Sequence, residues 1–286
     1  MARYARPISP DEALALLSKG EWRILAGGTD FYPAQGARPI TEDILDINGI
    51  EELRGIRETD GHIVLGARTT WTDVLRHALP PAFDALKMAA REVGSVQIQN
   101  AGTVSGNLCN ASPAADGVPA LMILDAEVEL SSMAGVRHLA LADFILGNRK
   151  TARRPDELLT AIRIPKGSTT GASHFLKLGA RRYLVISIAM AAVRIDLAED
   201  GRIRNAAIAV GSCSPVARRM GGLEQALAGA RPEEAAERVD ARHFDGLAPI
   251  DDVRGSAAYR REAAREIVMR ALGEVLGVHL KCGEAA

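Results

Sequence analysis

The stretch from Gly94 to Asp116, GSVQIQNAGTVSGNLCNASPAAD, constrains this chain more than any other. It sets Gly94, Gly102 and Gly106 among Ser95, Thr103, Ser105, Asn107, Asn110 and Ser112. It closes with Pro113 and Asp116 before an apolar run, Val118 to Leu124. A core strand or helix is not built this way, so the pattern predicts a ligand-facing loop. Glycine lets the backbone take positive φ and approach a ligand closely, while small hydroxyls and amides supply short hydrogen bonds. Such a run before a helix suits an anion, which backbone N–H groups and the helix dipole both face. A second glycine turn, Leu25-Ala26-Gly27-Gly28-Thr29-Asp30, follows a short apolar strand. Two such loops suit a ligand with two phosphates, that is, a dinucleotide.

Composition narrows the partners. The 286 residues suffice for one large or two medium domains with real cores. Hydrophobic content of 47% and charged content of 25% are ordinary for a soluble protein. A net charge of −1 and 4% aromatic residues give no electrostatic or stacking case for nucleic acid. The N-terminal segment carries no apolar signal core, and the longest apolar stretch, Leu184 to Val193, is too short to span a bilayer. A soluble, cytoplasmic protein is expected. Cys109, Cys213 and Cys282 stand apart, with no spacing for an iron–sulfur cluster or a disulfide framework. The histidines, His279 among them, form no zinc-type pair, so no metal site is predicted and any redox metal sits on another chain.

In chain order, Ser9-Pro10 starts a helix over Ala13 to Leu17 that Gly20 is placed to end, and Trp22 to Ala26 is a strand into the first glycine turn. Asp60-Gly61 predicts a hairpin with a type I′ turn between Leu53–Glu58 and His62–Gly66. Helices are expected at Thr70 to His77, Pro81 to Val93 and Ala114 to Ile123. Strands are expected at Asp43 to Ile47, Glu127 to Ser131, Val136 to Ala140 and Leu158 to Ile164. Lys166 to Gly171 is small, polar and flexible and predicts a domain boundary, giving 1–167 and 168–286. Beyond it, strands at His174 to Gly179, Ile186 to Leu197 and Arg202 to Gly211 precede helices at Gly221 to Ala228, Pro232 to Arg242 and Ser256 to Leu276. Strands grouped before helices predict α+β. Arg260, Arg261 and Arg265 on the last helix are expected to be a solvated face.

LAGGTD (Leu25 to Asp30) paired with TVSGNLCNASPAAD (Thr103 to Asp116) resembles the FAD-binding medium subunit of molybdenum hydroxylases, the xanthine dehydrogenase and carbon monoxide dehydrogenase family. ELLTAIRIP (Glu157 to Pro165), FLKLGARR (Phe175 to Arg182) and DVRGSAAYRREAA (Asp252 to Ala264) are similar to its remaining segments, in the same order. The resemblance implies a PCMH-type FAD-binding domain of two α/β subdomains. A C-terminal domain of the carbon monoxide dehydrogenase flavoprotein type follows, with a three-stranded antiparallel sheet and helices. A Rossmann site is excluded, because AGGTD lacks the third glycine of GxGxxG and the later acidic residue.

The same resemblance assigns Leu25, Ala26, Gly27, Gly28 and Thr29 to one face of the FAD pyrophosphate. It assigns Thr103, Val104, Ser105, Gly106 and Asn107 to the other. Many members carry Gly-Gly where this chain has Ser105-Gly106, and serine cannot take positive φ cheaply. Asp30, repelled by a diphosphate, is expected in turn or cap chemistry. Asp116 matches an aspartate on flavin sugar hydroxyls, and also reads as the charge at a helix N-terminus. Lys177 matches a lysine near the flavin ring, and also reads as a solvated strand lysine. Leu159 matches an apolar position lining the ring, and also reads as a core leucine. Cys109 is expected to be buried filler, and Arg181, Arg182 and Tyr183 a solvated turn.

What the resemblance implies for function is electron transfer. FAD on this chain takes electrons from two [2Fe–2S] clusters on a small partner subunit and passes them to an acceptor such as NAD. A large subunit with a molybdopterin cofactor carries the substrate chemistry, in an αβγ or doubled αβγ assembly. No side chain here is assigned as catalytic. Two other classes stand beside this: a self-contained FAD-dependent oxidoreductase of the same fold, and a non-catalytic scaffold that has lost FAD.

Overall fold

The computed structural model describes residues 2–278, so Met1, His279 and Cys282 lie outside the described residues. The chain opens with β1 (Tyr4–Ala5), α1 (Pro10–Leu17), β2 (Arg23–Leu25), α2 (Phe31–Gln35) and β3 (Ile44–Asp46). The strands form a small parallel sheet in the order β1-β3-β2. Ser9 starts α1 as its sequence predicts: its hydroxyl accepts the Glu12 amide at 3.3 Å, and Pro10 fills the first helical position.

The second subdomain contains β4 (Ile56–Glu58), β5 (His62–Gly66), α3 (Trp71–Arg76), α4 (Asp84–Glu92), α5 (Val96–Ala101), α6 (Val104–Asn110) and α7 (Gly117–Met122). It continues through β6 (Glu127–Ser132), β7 (Gly135–Ala140), α8 (Leu141–Phe144), the short hairpin β8 (Ile145–Gly147) and β9 (Lys150–Thr151), and β10 (Leu158–Pro165). Five of its strands make an antiparallel sheet, β4-β5-β10-β6-β7. The β4–β5 hairpin is present, but Gly61 is not among the positive-φ glycines, so the turn is not type I′. Thr59 closes it instead, its amide and hydroxyl both reaching the His62 carbonyl.

The C-terminal sheet has β11 (Ala172–Leu178), β12 (Ala189–Leu197) and β13 (Ile203–Gly211), with a two-residue fourth strand, β14 (Arg218–Arg219), on its edge. Helices α9 (Gly221–Leu227), α10 (Ala235–Arg238) and α11 (Ala257–Leu276) follow. The single helix expected over Pro232 to Arg242 is broken into short turns around α10.

Strand β12 explains how the parts are joined. All but its last residue is buried, because both faces are covered. Met190 and Ala192 face an apolar cluster shared with Trp71, Leu86, Leu108 and Leu121, while Ala189, Ala191 and Val193 face α9 and α11. The period of two sorts the residues, and the alanines let both layers approach. On the first of these faces Arg194 is buried and donates to the Ile123 carbonyl at 2.8 Å. Of the α11 arginines expected on a solvated face, Arg261 is exposed and Arg265 partly so, but Arg260 is not. Arg260 is 2% exposed and donates to Asp252 and to the Ile188 carbonyl, both at 2.6 Å. Periodicity alone placed it outward, whereas its guanidinium has found buried acceptors.

Glu157, just before β10, is 2% exposed. It accepts from Arg137 at 2.5 and 2.8 Å and from the Arg154 amide at 2.7 Å. Burial pushes its carboxyl up, but the Arg137 and Arg154 hydrogen bonds outweigh that and hold it below the usual glutamate range. A lowered carboxyl stabilises the fold above the usual glutamate pKa and loses that contribution as pH falls through the lowered value. Glu157→Gln is therefore expected to cost about 2 kcal/mol at neutral pH. In urea unfolding, the gap to the parent should narrow on acidification toward pH 4 and below.

Candidate cofactor-binding site

The two glycine segments arrive at one cavity of about 1290 Å³, lined also by Asp116, Leu158, Leu159, Lys177 and Val185. Ligand pockets commonly hold about 300–1,000 Å³, so this one suits a ligand of dinucleotide size.

The first segment leaves the end of β2 and turns through Gly28, whose φ is +71°. Asn48 fixes it by donating to the Ala26 carbonyl at 2.7 Å. Gly27 has no room for a side chain: a Cβ would stand 2.0 Å from the Ala101 carbonyl oxygen and 2.9 Å from the Gly102 Cα. The two segments therefore touch, backbone to backbone. Among the described residues, no protein acceptor meets the amides of Gly27, Gly28 and Thr29. A run of free N–H groups is an anion cradle. Asp30 is exposed in a turn at the N-cap position of α2, as expected, but its side chain makes no cap bond there.

The second segment is largely helical, which corrects the loop expectation. Small polar residues signal a loop, but they also fit short helices packed against neighbours, here α5 and α6. Thr103 caps α6, its hydroxyl accepting the Gly106 amide at 3.0 Å. Ser105 thus lies in a right-handed first turn and needs no positive φ, which removes the objection to serine there. Of the first-turn amides, Val104 donates to Thr69, Gly106 to the Thr103 hydroxyl and Asn107 to the Thr103 carbonyl, leaving that of Ser105 free among the described residues. The buried Ser105 Oγ and Asn107 Oδ1 also lack a partner, and both residues line the cavity. Val104 does not: its side chain is fully buried in the core and its amide is spent on Thr69.

Asp116 and Lys177, 61 residues apart, form a buried pair at 2.7 Å, and Ser187 donates to the other carboxylate oxygen at 2.8 Å. Burial pushes Asp116 up, while Lys177 and Ser187 pull it back. Asp116 does stand at the N-terminus of α7, though its side chain makes no cap bond there, while the solvated-lysine reading fails because the Lys177 side chain is 7% exposed. Leu159 is 3% exposed and, with Leu158, forms an apolar wall, so it serves core and cavity together. Cys109 is not filler: it opens onto the cavity. Arg181, Arg182 and Tyr183 are exposed, as expected of a turn. Ser187, Arg149 and Arg153 are site residues that sequence reasoning missed. The serine is an ordinary strand residue in the sequence, and the arginines sit in a charged run that reads as surface.

Free amides on two touching segments, orphaned polar atoms, a carboxylate and an apolar wall fit a flavin dinucleotide: diphosphate, sugar hydroxyls and flat ring each find a complement. Comparison with known proteins agrees. Residues 1–167 match the model for the FAD binding domain in molybdopterin dehydrogenase. Residues 174–275 match that for the CO dehydrogenase flavoprotein C-terminal domain. The nicotinate dehydrogenase FAD-subunit of Eubacterium barkeri is 32% identical, over 88% of each chain. The carbon monoxide dehydrogenase medium chain of Afipia carboxidovorans is 35% identical, over 94% of each. The solved structure of reconstituted CO dehydrogenase from Oligotropha carboxidovorans has a chain with TM-score 0.87 and 30% identity, covering 98% of this chain and 99% of that one.

Gly27→Ala is expected to force the two segments apart, an overpacking cost of about 1–3 kcal/mol. FAD retention should then weaken by about tenfold or more, each tenfold being about 1.4 kcal/mol. Gly61→Ala, where a Cβ meets open space, should leave FAD retention unchanged in the same flavin-release assay.

Proposed function

Because the chain belongs to the family of FAD-binding medium subunits of molybdenum hydroxylase-type complexes, we propose that it carries electrons from a partner's [2Fe–2S] clusters to an acceptor such as NAD. The observation that carries this reading is the convergence on one cavity of the free amides of Gly27, Gly28 and Thr29 with the free amide and orphaned hydroxyl of Ser105. Bound there, FAD supplies a carrier that accepts electrons singly and releases them as a pair.

The chain's own residues bind and orient. Gly27, Gly28 and Thr29 hold one side of the diphosphate and Ser105, with the Asn107 side-chain amide, the other, while Gly106 leaves room for the Thr103 cap. Asp116 keeps lone pairs beyond those used by Lys177 and Ser187, enough to accept a sugar hydroxyl. Leu158 and Leu159 exclude water from one side of the ring. No residue here needs to move a proton on a substrate, so substrate recognition falls to the large molybdenum-binding partner. With the small iron–sulfur partner the complex is αβγ or its double. The FAD-binding PCMH-type domain is 1–167 and the C-terminal α+β domain 168–286, a division supported by where the two family matches end and begin.

Native purification and a visible absorption spectrum test this. The expected result is co-purification with one larger and one smaller partner and a flavin spectrum, with acid releasing FAD from this chain and no iron assigned to it. Substrate turnover by the isolated chain would instead favour a self-contained flavoenzyme. A chain that takes no FAD alone or in its complex would leave only the scaffold reading.

A further inference from the structure

The cavity wall carries both signs, with Glu21, Asp30 and Glu92 among its acids, and its basic residues differ in how each is compensated. Lys177 is compensated by Asp116 before any ligand arrives, with both side chains buried. Arg23, elsewhere on the cavity wall, is paired with Glu42. Arg149 is exposed at the rim and bonded only to the Asn110 amide oxygen at 3.2 Å, so water and salt screen it.

Arg153 differs. It lines the cavity, is half-buried and forms no ion pair among the described residues. Its Nη1 donates to the carbonyls of Arg154 at 3.0 Å, Pro155 at 3.5 Å and Glu157 at 2.7 Å. These bonds fix the guanidinium without neutralising it, and they leave Nε and Nη2 free. The nearby Glu157 carboxylate is taken up by Arg137 and the Arg154 amide. Cys109, one turn along α6 from Ser105, lines the same cavity as Arg153. So do Leu158 and Leu159, which continue the chain from Glu157 and build the apolar wall.

We propose that Arg153, rather than Lys177, is the residue that stabilises negative charge on the bound flavin ring; the inference rests on the FAD reading above. Uptake of two electrons from the partner's clusters and one proton from solvent leaves one net negative charge on a flavin. A half-buried cation with no carboxylate partner favours that state. Arg153 thereby sets how readily the site is reduced.

Sulfite binding tests this without any partner or turnover. Sulfite adds to the oxidised ring through its own lone pair, leaving negative charge on the ring, and the loss of visible absorbance reports the affinity. With the flavin-loaded full chain, Arg153→Gln is expected to weaken sulfite binding by about tenfold or more, equivalent to about 30 mV for a two-electron couple. Arg153→Lys should recover most of the affinity, and Arg149→Gln should change it by less than about threefold because that charge is screened. Arg153→Met, which keeps the stem, serves if the glutamine chain does not fold. Unchanged sulfite affinity in the Arg153 variants overturns the proposal, as does an equal loss in Arg149→Gln. Loss of FAD from Arg153→Gln but not from Arg153→Lys also overturns it, by placing the guanidinium on the diphosphate. A parent chain that takes no flavin at all contradicts the FAD reading itself, a separate outcome.

Discussion

The backbone of Gly27 passes so close to the Ala101 carbonyl that a Cβ would stand 2.0 Å from its oxygen, and this contact joins two subdomains at one point. Everything that makes the cavity selective follows from it. The free amides of Gly27, Gly28 and Thr29 face the same space as the free Ser105 amide only because the segments touch. A diphosphate bridging them would meet donors from both sides, and neither set alone surrounds it. The same glycine that permits the approach also leaves no tolerance, since the neighbouring atoms are backbone and cannot swing aside.

The C-terminal sheet completes the cavity rather than merely adjoining it. Lys177 and Ser187 reach the Asp116 carboxylate from either end of the turn that connects β11 to β12. Val185 and Ile186, within that turn, line the cavity. Arg194 ties β12 to the carbonyl of Ile123, just past α7, and Ser173 on β11 accepts from the Ala85 amide at the start of α4. Flavin site and domain junction are thus built from the same bonds, which links cofactor binding to the way the domains sit together.

Much of this was legible in the sequence. The strand expected at Ile186 to Leu197, the capped helix at Ser9 and the order of strands before helices pointed to the α+β layout, and the resemblance carried by two glycine segments supplied the rest. Other features were not legible, for physical reasons. Small polar residues read as loop in 94–116, yet capping by Thr103 and packing against Trp71 make two helices of them. Helical spacing put Arg260 on a solvated face, but spacing does not count buried carbonyls waiting for a donor. Asp116 and Lys177 meet across 61 residues, a pairing that local pattern cannot supply. Val104 sits inside a binding motif yet is buried in the core, which a motif match by itself does not reveal. The small edge strand β14 has two residues and no pattern long enough to announce it.

The proposed sharing of one diphosphate by two touching segments is tested most directly by comparing the binding of FAD, FMN and riboflavin to the flavin-free protein. Flavin fluorescence reports all three. If the cradle is as described, FAD binds tightest by two or more factors of about ten, each about 1.4 kcal/mol, with FMN and riboflavin following in that order. FMN binding as tightly as FAD would contradict the account, because a single phosphate cannot use donors on both segments.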